Sequence, residues 1–411
     1  MPGPRTPFSA TRLARSRRAT TFVFIVLGVV QGTLGSRMPA LKDQTHLTDG
    51  LLGLALLGVP VGCILVVQVT GRWIGARGSS HATSVGVVAM CLALAAPAFA
   101  TGLPTLLLAL VLVGLGMGLT DAAMNAHAVT VEQAYERPIM STFHGFASLG
   151  ALLGAAAGAF AARLGVVPAV HLPVVAGVLL VVGLAVRGGL LPGSADAHVV
   201  GRVTSGPDRA RAPWTPALVL LAGIALLSWM TEHAIADWSA VYLRDGLGAP
   251  AGVAPYGYAA FSVCMVGTRL VADRVTARLG PRAVLRGGGL VAGLGFAAGL
   301  LSGSVVGTTV GCGLVGIGMA GVVPIVFTAA GNLAGTHAGS AVSKVAGVAY
   351  AGSLVGPPLV GFTADATSLR TALLLVAAAA VAIGLAAPFA VRRRVSSAAG
   401  SAVAPPVVPG R

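Results

Sequence analysis

The sequence predicts an all-α, polytopic membrane protein of twelve transmembrane helices in two pseudo-symmetric six-helix bundles, and three observations predict it. Apolar residues make up 55% of the 411-residue chain and charged residues 9%, far more grease than a soluble domain of this length needs for one core. Stretches of roughly 20 apolar residues, enough to cross the hydrocarbon at 1.5 Å per residue, recur twelve times. The chain also repeats itself at an unbroken spacing of 202 residues: Arg72 answers to Arg274, Gly78 to Gly280, Val113-Gly114-Leu115-Gly116-Met117 to Val315-Gly316-Ile317-Gly318-Met319, and Gly150 and Gly154 to Gly352 and Gly356. Ala40-Leu41-Lys42-Asp43 likewise answers to Tyr242-Leu243-Arg244-Asp245. Two similar halves can rock about a site held between them.

The spans fall near 19–40, 50–70, 83–101, 105–128, 140–163 and 167–187 in the first half. Those of the second half fall near 216–243, 254–273, 284–302, 305–330, 342–363 and 369–391. The expected organisation is a cytoplasmic tail 1–18, a bundle 19–187, a cytoplasmic linker 188–215, a bundle 216–391 and a disordered tail 392–411. The Arg-rich N-terminus followed by an apolar run resembles a signal peptide, but the run is too long for a cleaved segment and more spans follow. Glycine stripes such as Gly150-x3-Gly154-x3-Gly158 and Gly352-x3-Gly356 allow helix backbones to approach closely. Pro357-Pro358 should kink or loosen the eleventh span.

A net charge of +15 would suit nucleic acid, so the placement of the cations decides. With a cytoplasmic N-terminus, 22 of the 27 Arg and Lys residues fall on the inner side. This is the positive-inside bias, which puts both termini in the cytoplasm of a multi-pass cell-membrane protein and leaves no reason to expect a nucleic-acid partner. Cys63, Cys91, Cys264 and Cys312 sit in separate spans without metal-ligand spacing and read as small apolar residues, so neither a metal nor a cofactor is expected.

Charge within the hydrocarbon is costly and marks function by default. Asp121 lies in the fourth span with Asn125 one turn later on the same face. The seventh carries Trp229, Glu232, His233 and Asp237, with His233 and Asp237 four apart. His144 lies one turn inside the fifth. A carboxylate facing a cavity between bundles can take up a proton on whichever side is open, because its charged form is the expensive one. Asp121 is the first candidate for that coupling, Glu232 the second, and a permanently hydrogen-bonded helix lock is the alternative for each. Substrate is expected near Asn125, His144 and Trp229, with His233 beside them. Arg37 and Asp237, near the outer ends of spans one and seven, form a candidate outer latch across the bundle interface.

The eighth span ends in Gly267-Thr-Arg269-Leu-Val-Ala-Asp273-Arg274-Val-Thr-Ala-Arg278-Leu-Gly280, and its first-half counterpart is Gly71-Arg72-Trp73-Ile74-Gly75-Ala76-Arg77-Gly78. A Gly, Asp and Arg cluster in these loops resembles the signature of the major facilitator superfamily. The resemblance implies the major facilitator fold and an inner gate of Arg72, Arg269, Asp273, Arg274 and Arg278. The first-half copy lacks an acid, with Gly71 opposite Asp273, so the second-half loop should dominate.

Ser36-Arg-Met-Pro39-Ala-Leu-Lys42, Asp121-Ala-Ala-Met-Asn125, Pro138-Ile-Met-Ser-Thr-Phe-His144, Ile235-Ala-Asp237-Trp238 and Val355-Gly356-Pro-Pro-Leu-Val-Gly361-Phe together look like the YbjJ-like inner-membrane transporters. More distantly, the Gly116-to-Asn125 stretch is similar to the fourth helix of bacterial fucose:proton symporters, in which the matching acid takes part in proton-coupled sugar uptake. Their first-helix acid falls here near Gly35, whose repeat counterpart is Asp237. The resemblance implies a monomeric, proton-coupled secondary transporter; the scarcity of charge among the candidate cavity residues points to a small neutral or weakly polar solute, and the fucose-symporter likeness to a sugar-like one or another metabolite. Proton-driven efflux of a drug or natural product is the alternative, although the fourth span lacks the Arg and the fifth the Gly-Pro pair of such exporters. A non-transporting sensor or scaffold on the same fold is a further one. No Walker loop, paired zinc ligands or Gly-x-Ser-x-Gly elbow points to an enzyme.

Overall fold

A computed structural model describes residues 8–135, 139–196, 213–334 and 338–391, without the side chains of Gln68, Ser141, Asp196, Asp273, Ala334, Ala338, Ser340 and Ser343. Most of the expected linker and the C-terminal tail therefore lie outside the described residues. In the first half the helices are α1 (Ala10–Thr45), α2 (Asp49–Leu56), α3 (Gly58–Arg77), α4 (Ser79–Leu94), α5 (Leu103–Tyr135), α6 (Met140–Arg163) and α7 (Pro168–Arg187). Those of the second half are α8 (Pro216–Val241), α9 (Tyr256–Leu279), α10 (Pro281–Leu301), α11 (Val305–Met319), α12 (Val322–Ala334), α13 (Ala338–Ala366) and α14 (Leu369–Ala390). The pairs α2/α3 and α11/α12 each make one interrupted crossing, which gives twelve crossings.

Eleven crossings among the described residues are long and apolar enough to span a membrane. The twelfth, α9, has the length at 24 residues but carries Arg269, Asp273, Arg274 and Arg278, a composition explained below by the cavity it walls. The N-terminal tail also differs from expectation. Helix α1 starts at Ala10, where the Ser9 hydroxyl accepts from the Arg12 amide at 3.3 Å as an N-cap. The Arg12 guanidinium then ties this extension to the Leu190 carbonyl at 2.6 Å.

The repeat persists in backbone detail. Gly78 ends α3 and opens α4 with φ 84° and ψ 157°, and its counterpart Gly280 does the same between α9 and α10 with φ 82° and ψ 153°. Positive φ at both positions excludes a Cβ without strain. Each bundle is zipped by the same helix pair, α1 with α6 and α8 with α13. A Cβ on Gly154 would overlap the Val29 carbonyl, and one on Gly352 the Leu226 carbonyl. The small residues bring the helix backbones into direct contact, the packing that replaces hydrophobic force inside lipid.

Gly154→Val should therefore wedge α1 from α6 and lower the melting temperature of the detergent-purified protein by roughly 5 °C or more, on an overpacking cost of about 1–3 kcal/mol. Gly267→Ala, with open space around its Cβ position, should leave it unchanged. Equal melting temperatures for all three proteins would contradict this packing.

Candidate functional site at the bundle interface

The two bundles meet tightly at one end and separate at the other. At the closed end α1 (Ala10–Thr45) and the π-helical extension of α8, Tyr242–Gly246, present repeat-related charges that pair crosswise. Lys42 Nζ lies 2.9 Å from Asp245 Oδ2, and Arg244 Nη1 and Nη2 lie 2.6 and 2.9 Å from the two oxygens of Asp43. Lys42 also reaches Asp49 at 2.6 Å and Arg244 reaches Asp245 at 2.6 Å. Since Lys42 corresponds to Arg244 and Asp43 to Asp245, each half supplies a cation and an acid to the other. The bidentate Arg244–Asp43 fork is the strong form of such a contact.

Behind this network the bundles touch through small residues. A Cβ on Gly53 would lie 2.6 Å from the Pro357 carbonyl oxygen, and the Thr48 hydroxyl donates to Asp365 at 2.8 Å. Pro357 and Pro358 lie inside α13, so the close approach to α2 falls on the Gly-Pro-Pro step.

Arg37 and Asp237 are not this latch. Arg37 is buried, and its guanidinium donates to the Val166 carbonyl at the α6–α7 turn of its own bundle. Asp237 makes no ion pair or hydrogen bond among the described residues. The local backbone acceptor captures Arg37, and the charges of the next helical turn close the interface instead.

Away from the latch, a cavity of about 2230 Å³ runs between the bundles toward the α9–α10 turn. Its wall includes Gln31, His144, Trp229, Glu232, His233, Arg269, Arg282, Arg286 and Asn332. Five residues singled out in the sequence thus come together, His144, Trp229, Glu232 and His233 of the expected binding and coupling set and Arg269 of the expected gate. Ser228 donates to Glu232 Oε1 at 3.1 Å, while Arg269 Nη2 stands 3.8 Å from Oε2. The Arg269 Nη1 lies 3.5 Å from Ser148 Oγ on α6, so this residue spans the bundle interface. His233 Nδ1 bonds to the Trp229 carbonyl at 2.8 Å, one turn back, and does not meet Asp237. The ring of His144 packs edge-on against Phe24.

Asp121 and Asn125 form a separate pair, and neither is among the cavity-lining residues. Asn125 Nδ2 donates to the Asp121 carbonyl at 2.8 Å and to its carboxylate at 3.1 Å, as four-residue spacing on one helix face allows. Tyr350 on α13 lies within electrostatic reach of Asp121 and packs edge-on against Trp229, with ring centroids 4.5 Å apart. Tyr350 thus neighbours both Asp121 and the cavity-lining Trp229.

The expected inner gate is unformed here, because this end of the interface is open. Arg269 turns into the cavity, and Arg72, Arg274 and Arg278 are exposed without an ion-pair partner among the described residues. The Asp273 side chain lies outside the described residues. Three arginines against one carboxylate also differ from the charge-poor cavity that the sequence suggests. Arg282 and Arg286 read as loop charges along the chain, yet the start of α10 folds into the wall.

Residues that sequence reasoning missed are Lys42, Asp43, Asp49, Arg244 and Asp245 of the latch, and Ser148 and Tyr350. The signal for the first group was present as an oppositely charged dipeptide copied in both halves.

The Major Facilitator Superfamily model matches residues 20–343 and, in a second overlapping register, 218–408. This chain belongs to the major facilitator superfamily. It is 33% identical over 373 residues to an uncharacterized MFS-type transporter of Yersinia pestis, covering 89% of this chain and 95% of that one. An uncharacterized transporter of Sinorhizobium fredii is 32% identical over 92% of this chain and 98% of its own. The membrane protein MosC of Rhizobium meliloti is 31% identical over 92% and 90%. Among solved structures, the nucleoside transporter NupG superposes with a TM-score of 0.73 at 11% identity, covering 92% of this chain and all of that one. A bacterial homologue of the human lysosomal transporter Spinster, in an inward-facing and occupied conformation, gives 0.71 at 16% identity over 93% and 97%. At these identities the structural likeness speaks for fold alone. This major facilitator protein is a polytopic membrane transporter, not an enzyme.

Access to the cavity should be one-sided. With the four cysteines replaced, a cysteine at the exposed cavity residue Thr328 should react with an impermeant maleimide only from the side of the α9–α10 turn, and one at Thr101, in the turn before α5, only from the other. Labelling of Thr328→Cys from the latch side would contradict the closed interface.

Proposed function

We propose that this protein is a proton-linked secondary transporter that moves a small, polar, sugar-sized solute across the cell membrane by alternating access. The observation that carries the reading is an interfacial cavity, walled by Glu232, open at one end, with crossed ion pairs sealing the interface at the other. A solute in that cavity can leave only on the open side, and rocking the bundles would exchange the sides. The positive-inside distribution supports placing the open end and both termini in the cytoplasm. The protein is taken to act as a monomer, since the cavity lies within one chain.

In the proposed cycle, Asp121 and Glu232 gain protons while the outer side is open, and the solute binds beside His144, Trp229 and His233. Neutralising the carboxylates lowers the cost of carrying them through the occluded state. The latch then closes, and proton and solute leave toward the cytoplasm. The partial likeness of the fourth span to fucose:proton symporters supports the role of Asp121. In the outward-open half of the cycle, Arg72, Arg274, Arg278 and Asp273 would gather at the inner end as its gate, with Arg269 deeper in the site.

The test uses proteoliposomes with an alkaline interior and a mixture of polar metabolites outside. At least one metabolite should accumulate, a protonophore should abolish the accumulation, and Asp121→Asn and Glu232→Gln should each reduce it at least tenfold while sparing counterflow exchange. Accumulation indifferent to the protonophore and to both variants would overturn the proton coupling.

A further inference from the structure

The two arginine–carboxylate contacts of the interface differ in kind. Arg244 grips Asp43 with two bonds of 2.6 and 2.9 Å. Arg269, deep in the cavity wall, has only Ser148 Oγ at 3.5 Å and Glu232 Oε2 at 3.8 Å as partners among the described residues. A guanidinium offers five N–H donors in a planar fork matched to a carboxylate, and the Arg269 side chain keeps 36% of its surface exposed. Its donors are therefore held toward the cavity by weak contacts from both bundles and remain largely unfilled.

Topology does not explain this cation. Arg282 and Arg286 stand at the turn end of the cavity, where positive-inside charge belongs. Arg269 lies seven residues before Thr276 on α9, about 10 Å deeper at 1.5 Å per residue. The three arginines line one path inward, and a low-dielectric cleft lined by one sign of charge draws in the opposite sign. The same cavity wall carries the amides of Gln31 and Asn332 and the rings of Trp229 and His144, the last within electrostatic reach of Arg269, groups that hydrogen-bond or pack against a hydroxylated carbon skeleton.

We propose that Arg269 binds the carboxylate of a small hydroxylated organic acid, and that Glu232 is the internal competitor that releases Arg269 when it takes up a proton. This rests on the transport reading above and names its substrate class. With Glu232 ionised, Arg269 is shared with it and an incoming carboxylate meets repulsion. A proton added to Glu232 removes one negative charge, the solute carboxylate replaces it beside Arg269, and the site charge is unchanged. The proton on Glu232 and the solute carboxylate then offset each other's charge as they cross. The groups facing Glu232 are Arg269 and Tyr258 from α9 and Ser228 one turn back on its own helix, with His144 of α6 within electrostatic reach of Arg269. Arg269 is the fixed cation among them, so the exchange of carboxylates takes place on it.

The full-length purified protein is titrated with matched acid and neutral pairs, galacturonate against galactose and gluconate against sorbitol, at pH 5.5 and 7.5, reading the melting-temperature shift. The acids should bind at least tenfold more tightly than their neutral partners and at least tenfold more tightly at pH 5.5 than at 7.5. Glu232→Gln should bind the acids equally at both pH values, and Arg269→Gln should bind them at neither. Arg269→Lys, which keeps the charge but loses the fork, should retain the unliganded melting temperature and bind the acids more weakly. Neutral partners that match their acids, acids that shift nothing, or acid binding retained by Arg269→Gln would each overturn the proposal. Proton-driven accumulation of neutral solutes in the liposomes would then leave the transport reading standing without this substrate class.

Discussion

The rest of the structure depends on the crossed charge network at the closed end of the bundle interface. A repeat-related pair of surfaces can be complementary to each other only if each carries both members of every contact, the logic of an isologous dimer interface. Lys42-Asp43 and Arg244-Asp245 meet that condition with two residues per half. The network sits at helix ends, where side chains keep some contact with water, so it can break without stranding charges in hydrocarbon. Reversibility matters more here than strength, because a rocking carrier must open the same seam in every cycle.

The cavity follows from that seam. Two rigid bundles pinned at one end diverge toward the other, and the divergence exposes the polar faces of α6, α8 and α9. Within it the loose Glu232–Arg269 pair contrasts with the tight latch. One holds the bundles together, and the other leaves its donors available to a third party. Arg269 touches both bundles, through Ser148 and Glu232, so a ligand seated on it would act on the same interface that the latch closes. The Asp121–Asn125 pair is not part of the cavity lining, and Tyr350 lies within electrostatic reach of it while its ring packs against Trp229.

Much of the fold was legible in the chain because lipid imposes a simple rule: backbone groups must be satisfied within each crossing, so spans announce themselves by length. The 202-residue spacing carried through to matching positive-φ glycines at 78 and 280. Span eight was legible by length but masked by charge, since α9 is a wall of the cavity as well as a crossing. Pairing was harder to read. Asn125 with Asp121 follows from spacing along one helix, and the structure forms that bond. The Arg37–Asp237 latch required the relative placement of two bundles, and a backbone carbonyl in its own bundle held Arg37 instead. Lys42 and Asp43 look like neighbours that could satisfy each other. Only the fold shows that each reaches across the pseudo-twofold axis, and Arg269, grouped by sequence with a loop gate, is likewise placed by the tilt of α9.

The central claim, that crossed ion pairs hold the closed end of the interface shut, is tested most directly by electron–electron distance measurement between spin labels at Thr101 and Leu301, on opposite bundles at the latch end. The native protein should give one short distance population. Arg244→Asp, which sets acid against acid, should shift most of the population to longer distances, since each contact contributes about 1 kcal/mol and its reversal more. The swap Asp43→Arg with Arg244→Asp sets Lys42 and Arg at one side against two acids at the other, and should restore the short distance. An unchanged distribution in Arg244→Asp, or a swapped protein that stays open, would contradict the account.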